Sequence, residues 1–326
     1  MATKPARIAT GSLPSFDLVR ELVTNAHRQS RHLVEGAVAD YVPALARVSA
    51  DLFGIALTST TGELALAGDH DAPFTIQSVS KPFVFGLVCQ ALGEEEARRR
   101  LGANSTGLPF NSVLAVERAE GGATNPMVNA GAIAASSLVP GANAEEKWRS
   151  IREGLSRFAG RSLEMDEEVY DSEAASNQRN VGKAFLLQGM GGLDFDPVQA
   201  VDIYTRQCAL GVTCRDLAVM AATLANGGVN PISGEMVLAS EHCEHVLAVM
   251  VTAGLYENSG DWLYDTGLPG KSGVSGGMIA VAPGKCGLAA FSPRLDSAGN
   301  SVRGGRVARL LSVGLGLNLF ASRPAR

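Results

Sequence analysis

The chain has few of the features that mark secreted, disulfide-stabilised or membrane proteins. Only five of its 326 residues are cysteine, an odd and scattered set with no Cys-x-x-Cys pair. This usage predicts reduced thiols in a cytoplasmic protein. The first residues lack the apolar stretch of a secretory signal, and no 18-residue apolar run without charged or polar breaks occurs. We therefore expect neither export nor a membrane span.

Positive charge is also scarce. The sequence has 28 Lys and Arg against 33 Asp and Glu, a net charge of −5. It therefore has no surplus of basic residues to neutralise the phosphates of a nucleic acid, and nucleic acid is not an expected partner. Residues 98–100 are three arginines that follow three glutamates at 94–96, a pattern that predicts a self-paired, solvated helix face.

Residues 242–245 contain two histidines and a cysteine, but no second cluster has zinc-like spacing. We expect no metal and no cofactor.

Apolar residues are plentiful, and their spacing changes along the chain. They make up 46% of the sequence, enough for one large domain or two closely packed lobes. Residues 52–58 and 64–68 flank a turn and predict a β-hairpin, as do residues 278–282 and 287–291. Helical spacing dominates from about 83 to 260. The sequence therefore predicts an α/β (α+β) fold, with one antiparallel sheet formed by both chain ends and a helical lobe inserted between them.

The expected boundaries follow from those patterns. The sheet lobe is expected to span about 15–77 and 262–320, and the helical lobe about 78–261, within a single domain of 326 residues. Residues 307–320 have the apolar spacing of a closing helix. Residues 1–14 show no such spacing and are expected to be loose.

Ser78 and Lys81 form the most informative short motif of the chain. They lie three residues apart, ahead of an apolar run that begins at Phe83. If a helix starts at or just before Ser78, the hydroxyl and the amine share one face at its N-terminus. A lysine whose pKa is depressed can then take the serine proton, as in penicillin-recognising serine enzymes. The alternative is a capping serine beside a solvated lysine, because about one such spacing is expected by chance in a chain of this length.

Two later segments complete a possible acyl-transfer site. Residues 271–277 begin with Lys-Ser-Gly, the element that accompanies Ser-x-x-Lys, ahead of a predicted strand. The backbone N–H of Val274 could face that of Ser78 and form an oxyanion hole. Tyr256 lies between the two elements and could act as a phenolate or proton shuttle. Each piece also has an ordinary reading, as a glycine-rich turn or a core tyrosine, but their order predicts serine acyl transfer.

Together these segments closely resemble the serine-dependent glutaminase family in its stand-alone bacterial form. The resemblance runs from about Leu18 to Leu319 and rests on specific motifs and on their order and spacing. The segments that carry it are residues 41–43, 76–81, 107–112, 125–132, 271–277, 292–296 and 299–302.

The resemblance implies a β-lactamase/transpeptidase-like fold and hydrolysis of L-glutamine to L-glutamate and ammonia. It implies Ser78 as nucleophile, Lys81 as its base and Tyr256 as proton relay and ligand contact. The amides of Ser78 and Val274 would form the oxyanion hole. It also implies that a homodimer or homotetramer forms. The residues implied to line the glutamine pocket are Tyr41, Asn129, Glu173, Asn180 and Tyr204.

Residue patterns alone would not have selected several of these positions. Glu173 lies in an acidic stretch that otherwise predicts a solvated face, and Asn180 belongs to what looks like a polar helix start. Pro82 follows the lysine where the family usually has an aliphatic or aromatic residue, but proline is tolerated in a first helical turn.

Two rival functions remain open at this stage. One is an enzyme of the same fold that acts on β-lactams or peptidoglycan peptides, whose substrates lie outside the cytoplasm. The other is a sensor that binds glutamine or glutamate without turnover. The sequence does not determine the oligomeric state, phosphate activation, the choice between glutamine and asparagine, or whether Lys81 or Tyr256 is the dominant base.

Overall fold

The computed structural model describes residues 11–109 and 111–322. Phe110, inside the 107–112 motif, lies outside the described residues, as do positions 1–10, most of the segment that was expected to be loose. The described α-helices are α1 (Phe16–Ser30), α2 (Pro43–Ala46), α3 (Lys81–Leu92), α4 (Glu94–Leu101), α5 (Leu114–Arg118), α6 (Asn129–Leu138), α7 (Ala144–Ala159), α8 (Glu167–Ala174), α9 (Gln178–Gly189), α10 (Pro197–Cys208), α11 (Cys214–Ala225), α12 (Ser240–Ala253), α13 (Ser259–Thr266) and α14 (Val302–Leu315).

Seven strands accompany these helices in the described part of the chain. They are β1 (Gly54–Ser59), β2 (Leu64–Gly68), β3 (Phe74–Thr75), β4 (Gly211–Val212), β5 (Gly270–Ser272), β6 (Gly277–Ala282) and β7 (Cys286–Phe291). Single 3₁₀ turns lie at Gln77–Ser80, Glu120–Gly122 and Tyr256–Asn258.

The main sheet is antiparallel and is built from both ends of the chain. Its strand order is β2-β1-β7-β6-β5, so a strand from the late part of the chain pairs directly with an early one. Gly54 of β1 lies opposite Gly68 of β2, and Gly277 of β6 lies opposite Phe291 of β7. Both predicted hairpins are therefore confirmed. The small β3–β4 pair, which the sequence did not predict, lies outside this sheet.

The sheet is buried on both faces. Side chains alternate across a strand, and in β1 Ile55 and Leu57 join a core cluster with α1 and α14, whereas Ala56 joins a second cluster with the central helices. The same alternation in β6 separates Met278 from Ile279. Every position of β6 and β7 is buried, which explains why these two strands are continuously apolar rather than alternating with polar residues.

α11 packs directly against the face of the sheet that the central helices cover. A Cβ at Gly287 of β7 would lie 2.1 Å from the Ala222 nitrogen, so only glycine allows this close approach. The helix starts with a capping box in which Thr213 and Asp216 exchange hydrogen bonds. The central helices are thus held firmly on the sheet, which fixes the site-bearing segments relative to each other.

The closing helix differs from its prediction. It spans Val302–Leu315 rather than 307–320, because Ser301 caps its start by accepting from the Gly304 N–H and Gly316 ends it in the left-handed conformation, with φ 64°. The proposed division into sheet and helical lobes stays a prediction. No helix among the described residues combines the length and the apolar character needed to cross a membrane.

Candidate active site

Ser78 lies on a 3₁₀ turn rather than on an α-helix. The turn spans Gln77–Ser80 and runs directly into α3, which begins at Lys81, so a helix does start just before Ser78, but its first turn is 3₁₀. Gln77, the first residue of the turn, has a φ of 48°, outside the right-handed helical region. Residues i and i+3 eclipse one another in a 3₁₀ turn, so Ser78 and Lys81 still share one face. Pro82 lies in the first turn of α3, where its missing N–H does no harm.

A buried polar chain holds this turn in place. The Ser80 hydroxyl donates to the Gln77 carbonyl at 2.7 Å and accepts from the Gln207 side-chain amide at 2.8 Å. Gln207 in turn accepts from the Ser136 hydroxyl at 3.1 Å. The nucleophile turn is therefore tied to α10 and α6, so that substitutions in those helices can displace Ser78.

Lys81 is buried among polar and aromatic groups. It is 1% exposed, and its Nζ donates to Asn129 Oδ1 at 2.7 Å. The same nitrogen lies 5.7 Å from the ring centroids of Tyr204 and Tyr256. Burial lowers the pKa of Lys81 to about 7, and the positive charge of Lys183 adds to the decrease. Near neutral pH the amine can therefore lose its proton and accept another.

Tyr256 lies between two buried lysines. Its φ is 58°, an uncommon conformation for an aromatic residue, and Lys271 Nζ lies 4.0 Å from its ring centroid. Burial raises the pKa of the Tyr256 hydroxyl, and a side-chain hydrogen bond with Ser78 acts in the opposite direction. Burial and the nearby charge of Lys81 hold the pKa of Lys271 well below its usual value. Burial thus favours the neutral forms of Tyr256, Lys81 and Lys271, so that a proton can be exchanged among them.

Val274 follows β5 where that strand passes the Ser78 turn. A Cβ on the preceding Gly273 would lie 3.1 Å from the Ile76 carbonyl and 3.4 Å from Gln77 Cβ. The absence of a side chain at Gly273 therefore brings the backbone after β5 against the turn. Ser78 and Val274 line the same cavity, the relation that a pair of oxyanion donors requires.

One cavity of about 390 Å³ joins the predicted site residues. Every one of them except Lys81 and Tyr256 lines it, and these two lie beside it through their contacts with Asn129 and Ser78. The cavity walls include the loop before α2, the turn before α3, α6, α8, α9, α10 and, at Val274, the segment after β5. Residues separated by more than 230 positions in sequence therefore meet at one place.

Comparison with known proteins identifies the family. The family model described as Glutaminase matches residues 36–320. The chain belongs to the glutaminase family. It is 58% identical to Glutaminase 2 of Yersinia pestis over 97% of this chain and 93% of that protein, and 47% identical to the glutaminase of Brucella canis over 95% and 98%.

Solved structures of similar proteins share the fold. The structure of a probable glutaminase, ybaS, superposes with a TM-score of 0.93 at 42% identity, covering 95% of this chain and 100% of that one. Mglu in its glutamate form has a TM-score of 0.87 at 39% identity, covering 94% and 71%. The chain is accordingly an amidohydrolase with the β-lactamase-like fold of bacterial glutaminases, as the sequence predicted.

In this glutaminase-family site, Glu173 is not the solvated residue that its acidic neighbourhood suggested. It lines the cavity and accepts a hydrogen bond from Gln77 Nε2 at 3.3 Å. Burial raises the pKa of Glu173 to about 7, although the Gln77 bond and the charge of Lys81 act in the opposite direction. A carboxylate in such a place gains from a cationic partner, such as an amino-acid ammonium group.

Sequence reasoning missed several cavity residues. They are Gln77, Asn111, Ser176, Asn177, Arg179 and Lys183. Gln77 is the neighbour of Ser78, and Lys183 lies one helical turn after Asn180, so that adjacency to predicted residues could have found both. Asn177 hydrogen-bonds Thr205 and accepts from Asn180 Nδ2 at 2.7 Å, a positioning role that only the packing of α9 on α10 reveals.

Proposed function

We propose that this glutaminase-family enzyme hydrolyses L-glutamine to L-glutamate and ammonia through an acyl-enzyme on Ser78. The observation that carries the proposal is the single cavity that Ser78 shares with the predicted amino-acid-binding residues, next to a buried Lys81. A relative of this chain, Mglu, has been solved in its glutamate form, which supports glutamate as the product.

The acylation step begins with a proton transfer. Lys81, neutral near its lowered pKa of about 7, takes the Ser78 proton with the help of Tyr256. The Ser78 oxygen attacks the side-chain amide carbon of glutamine. The amide nitrogen receives a proton, relayed by Tyr256, and leaves as ammonia while the γ-glutamyl ester forms.

The oxyanion and the second half of the reaction use the same groups. The backbone N–H groups of Ser78 and Val274 donate to the carbonyl oxygen as it gains charge, a contribution of typically about 3 kcal/mol for one such donor. Water then attacks the ester, gives its proton to the same relay, and releases glutamate with Ser78 restored.

The charged end of the substrate is held away from Ser78. Glu173 binds the α-ammonium group, and the side-chain amides of Asn129 and Asn180 serve the α-carboxylate. Tyr41 and Tyr204, which line the same cavity, complete the walls. This arrangement favours a free amino acid over a larger amide.

Ser78→Ala tests the mechanism directly. The variant should release no glutamate or ammonia from L-glutamine, because no other hydroxyl replaces the nucleophile, while circular dichroism shows a folded protein. L-Asparagine is assayed in parallel. Turnover close to wild type in Ser78→Ala would refute the acyl-enzyme. Glutamine binding by the wild type without ammonia release would favour a sensor instead.

We also propose that the enzyme acts in the cytoplasm as a homodimer or homotetramer. The five cysteines are all buried free thiols, which suits a reducing compartment, and the oligomer is what the family resemblance implies. Light scattering of the purified protein and fractionation of its source cells measure the two properties.

A further inference from the structure

Lys183 is a buried cation that has no ion-pair partner among the described residues. It lies on α9, is 1% exposed, and lines the cavity. Its Nζ donates to Asn180 Oδ1 at 3.2 Å, a neutral partner. No ion pair formed within the described residues includes Lys183.

This burial is unfavourable unless an anion is supplied. Taking an ammonium group out of water is costly, and an amide oxygen returns only part of the lost solvation. Burial accordingly lowers the pKa of Lys183 to about 8, and the charge of Arg179 adds to the decrease. An anionic ligand in the cavity would pair with the Lys183 ammonium group and stabilise its charge.

The position of Lys183 relative to Ser78 indicates which anion fits. Lys81 Nζ donates to Asn129 Oδ1 at 2.7 Å, Asn129 Nδ2 donates to Asn180 Oδ1 at 3.3 Å, and Lys183 donates to that same oxygen. Two side-chain amides therefore separate the lysine that serves Ser78 from Lys183. A glutamine whose γ-amide lies at Ser78 extends its charged end along this chain of amides.

The cavity lining offers both an anionic and a cationic partner for the two charged groups of the amino acid. Glu173 is the one carboxylate among the described lining residues, and Arg179 and Lys183 are the cations. Because the amino acid is a zwitterion, its ammonium group suits Glu173 and its carboxylate needs a cation. Lys183 is the better candidate than Arg179, since a buried charge is little screened while an exposed one is solvated.

We propose that Lys183 is a specificity-determining residue that binds the α-carboxylate of the substrate and makes the cavity select free glutamine over glutamine derivatives lacking that carboxylate. This inference rests on the proposed glutaminase function and deepens it. It assigns to α9 a cationic receptor in addition to the amide of Asn180.

The test compares two substrates in two enzymes. L-Glutamine and its α-carboxamide differ only in the charge that Lys183 would bind. Formation of glutamate, or of glutamate α-amide, is followed by chromatography, because both amides of the second substrate contain releasable ammonia. At a pH above the acidic limb of both enzymes, wild-type enzyme should prefer glutamine in kcat/KM, and Lys183→Met should lose about 10- to 100-fold for glutamine, mostly in KM, with little change for the carboxamide.

Two variants control for a merely structural effect. Lys147→Met removes a half-buried lysine of α7 that donates to the Val139 carbonyl outside the cavity, and it should leave the preference unchanged. Lys183→Gln repeats the charge removal with a polar side chain, in case methionine disturbs folding. An equal loss for both substrates, or no loss for glutamine, would overturn the proposal, because a role in folding or in tuning Lys81 acts on both alike.

Binding separates this inference from the proposed reaction. In Ser78→Ala, calorimetry measures the affinities for glutamine and its carboxamide without turnover. A preference for glutamine that disappears in Ser78→Ala/Lys183→Met supports the carboxylate receptor even if the wild type does not hydrolyse glutamine. An unchanged preference in the double variant contradicts the receptor even if the wild type is fully active.

Discussion

Two charged helices of this molecule, α4 and α9, use their charges in opposite ways. In α4, Arg99 Nε donates to Glu96 Oε2 at 2.7 Å, and both side chains are exposed, by 67% and 41%. In α9, Lys183 is almost fully buried and hydrogen-bonds only a neutral amide among the described residues. Water screens the first pair. The charge of Lys183 is little screened by water, so each nearby group changes the free energy of the protonated amine.

The comparison shows why charge content says little about function by itself. The run of glutamates and arginines in α4 is the denser cluster, yet each of its ion pairs, within the helix or with Asp194 and His242, has at least one exposed member. The lysine of α9 faces the cavity, lowers the pKa of Lys81 and takes part in no ion pair of the described residues. Burial, rather than the number of charges, decides which helix has chemical consequences.

Among the compared charges, the largest expected effect comes from Lys81, the buried lysine linked to Lys183 through Asn129 and Asn180. Lys81→Met should lower kcat by about 10³-fold or more, because the Ser78 proton loses its acceptor. Lys147→Met is the matched control and should retain activity. Steady-state kinetics with L-glutamine measures both variants. A Lys81→Met enzyme within tenfold of wild type would assign the base to another group, with Tyr256 the next to test.

An effect of intermediate size is expected in the dependence of kcat/KM on pH. Below about pH 7, Lys81 and Glu173 take up protons, since the pKa of each is about 7. A protonated Lys81 cannot accept the serine proton, so kcat/KM should fall as pH decreases through 7. Removing the positive charge of Lys183 should raise the pKa of Lys81 and move this acidic limb to higher pH in Lys183→Met.

Profiles recorded with wild type and Lys183→Met check the direction of that shift. A limb that stays in place shows that the two lysines do not interact, and a limb that moves to lower pH reverses the proposed sign. Lys147→Met serves again as control and should reproduce the wild-type limb.

The smallest effect is expected in α4. Arg99→Gln removes an exposed partner of Glu96, so kcat/KM should stay at the wild-type value and Tm should move by no more than about 1 °C. Thermal unfolding and glutamine kinetics measure the two quantities. A large loss of activity in Arg99→Gln would mean that α4 contributes to the site, and the contrast with α9 would disappear.

The sequence predicted most of the fold because that information is local. The two hairpins follow from short apolar runs on either side of turn residues, and the α4 face follows from charges three and four residues apart. The Ser78 turn was only partly predictable. Residue spacing placed Ser78 beside Lys81, but the positive φ of Gln77 at the start of that turn is not the residue's own preference and was not predicted.

The site was predicted with help from the family resemblance. Residue patterns alone supplied Ser78, Lys81, Tyr256 and Val274, all of which belong to short motifs. Glu173 and Asn180 came only from the resemblance, since their local sequences look like a solvated face and a helix start. Lys183 came from neither, because a lysine in an amphipathic helix normally faces water.

By itself, the sequence determined the strand and helix periods, the order of the acyl-transfer motifs, and the family to which the chain belongs. The tertiary structure alone decided which charges lose their water, because α8, α9 and α10 close over Ser78 from positions about 90 to 130 residues away. Desolvation depends on everything that packs around a group, and so no local pattern distinguishes Lys183 in the cavity from Arg99 on the surface.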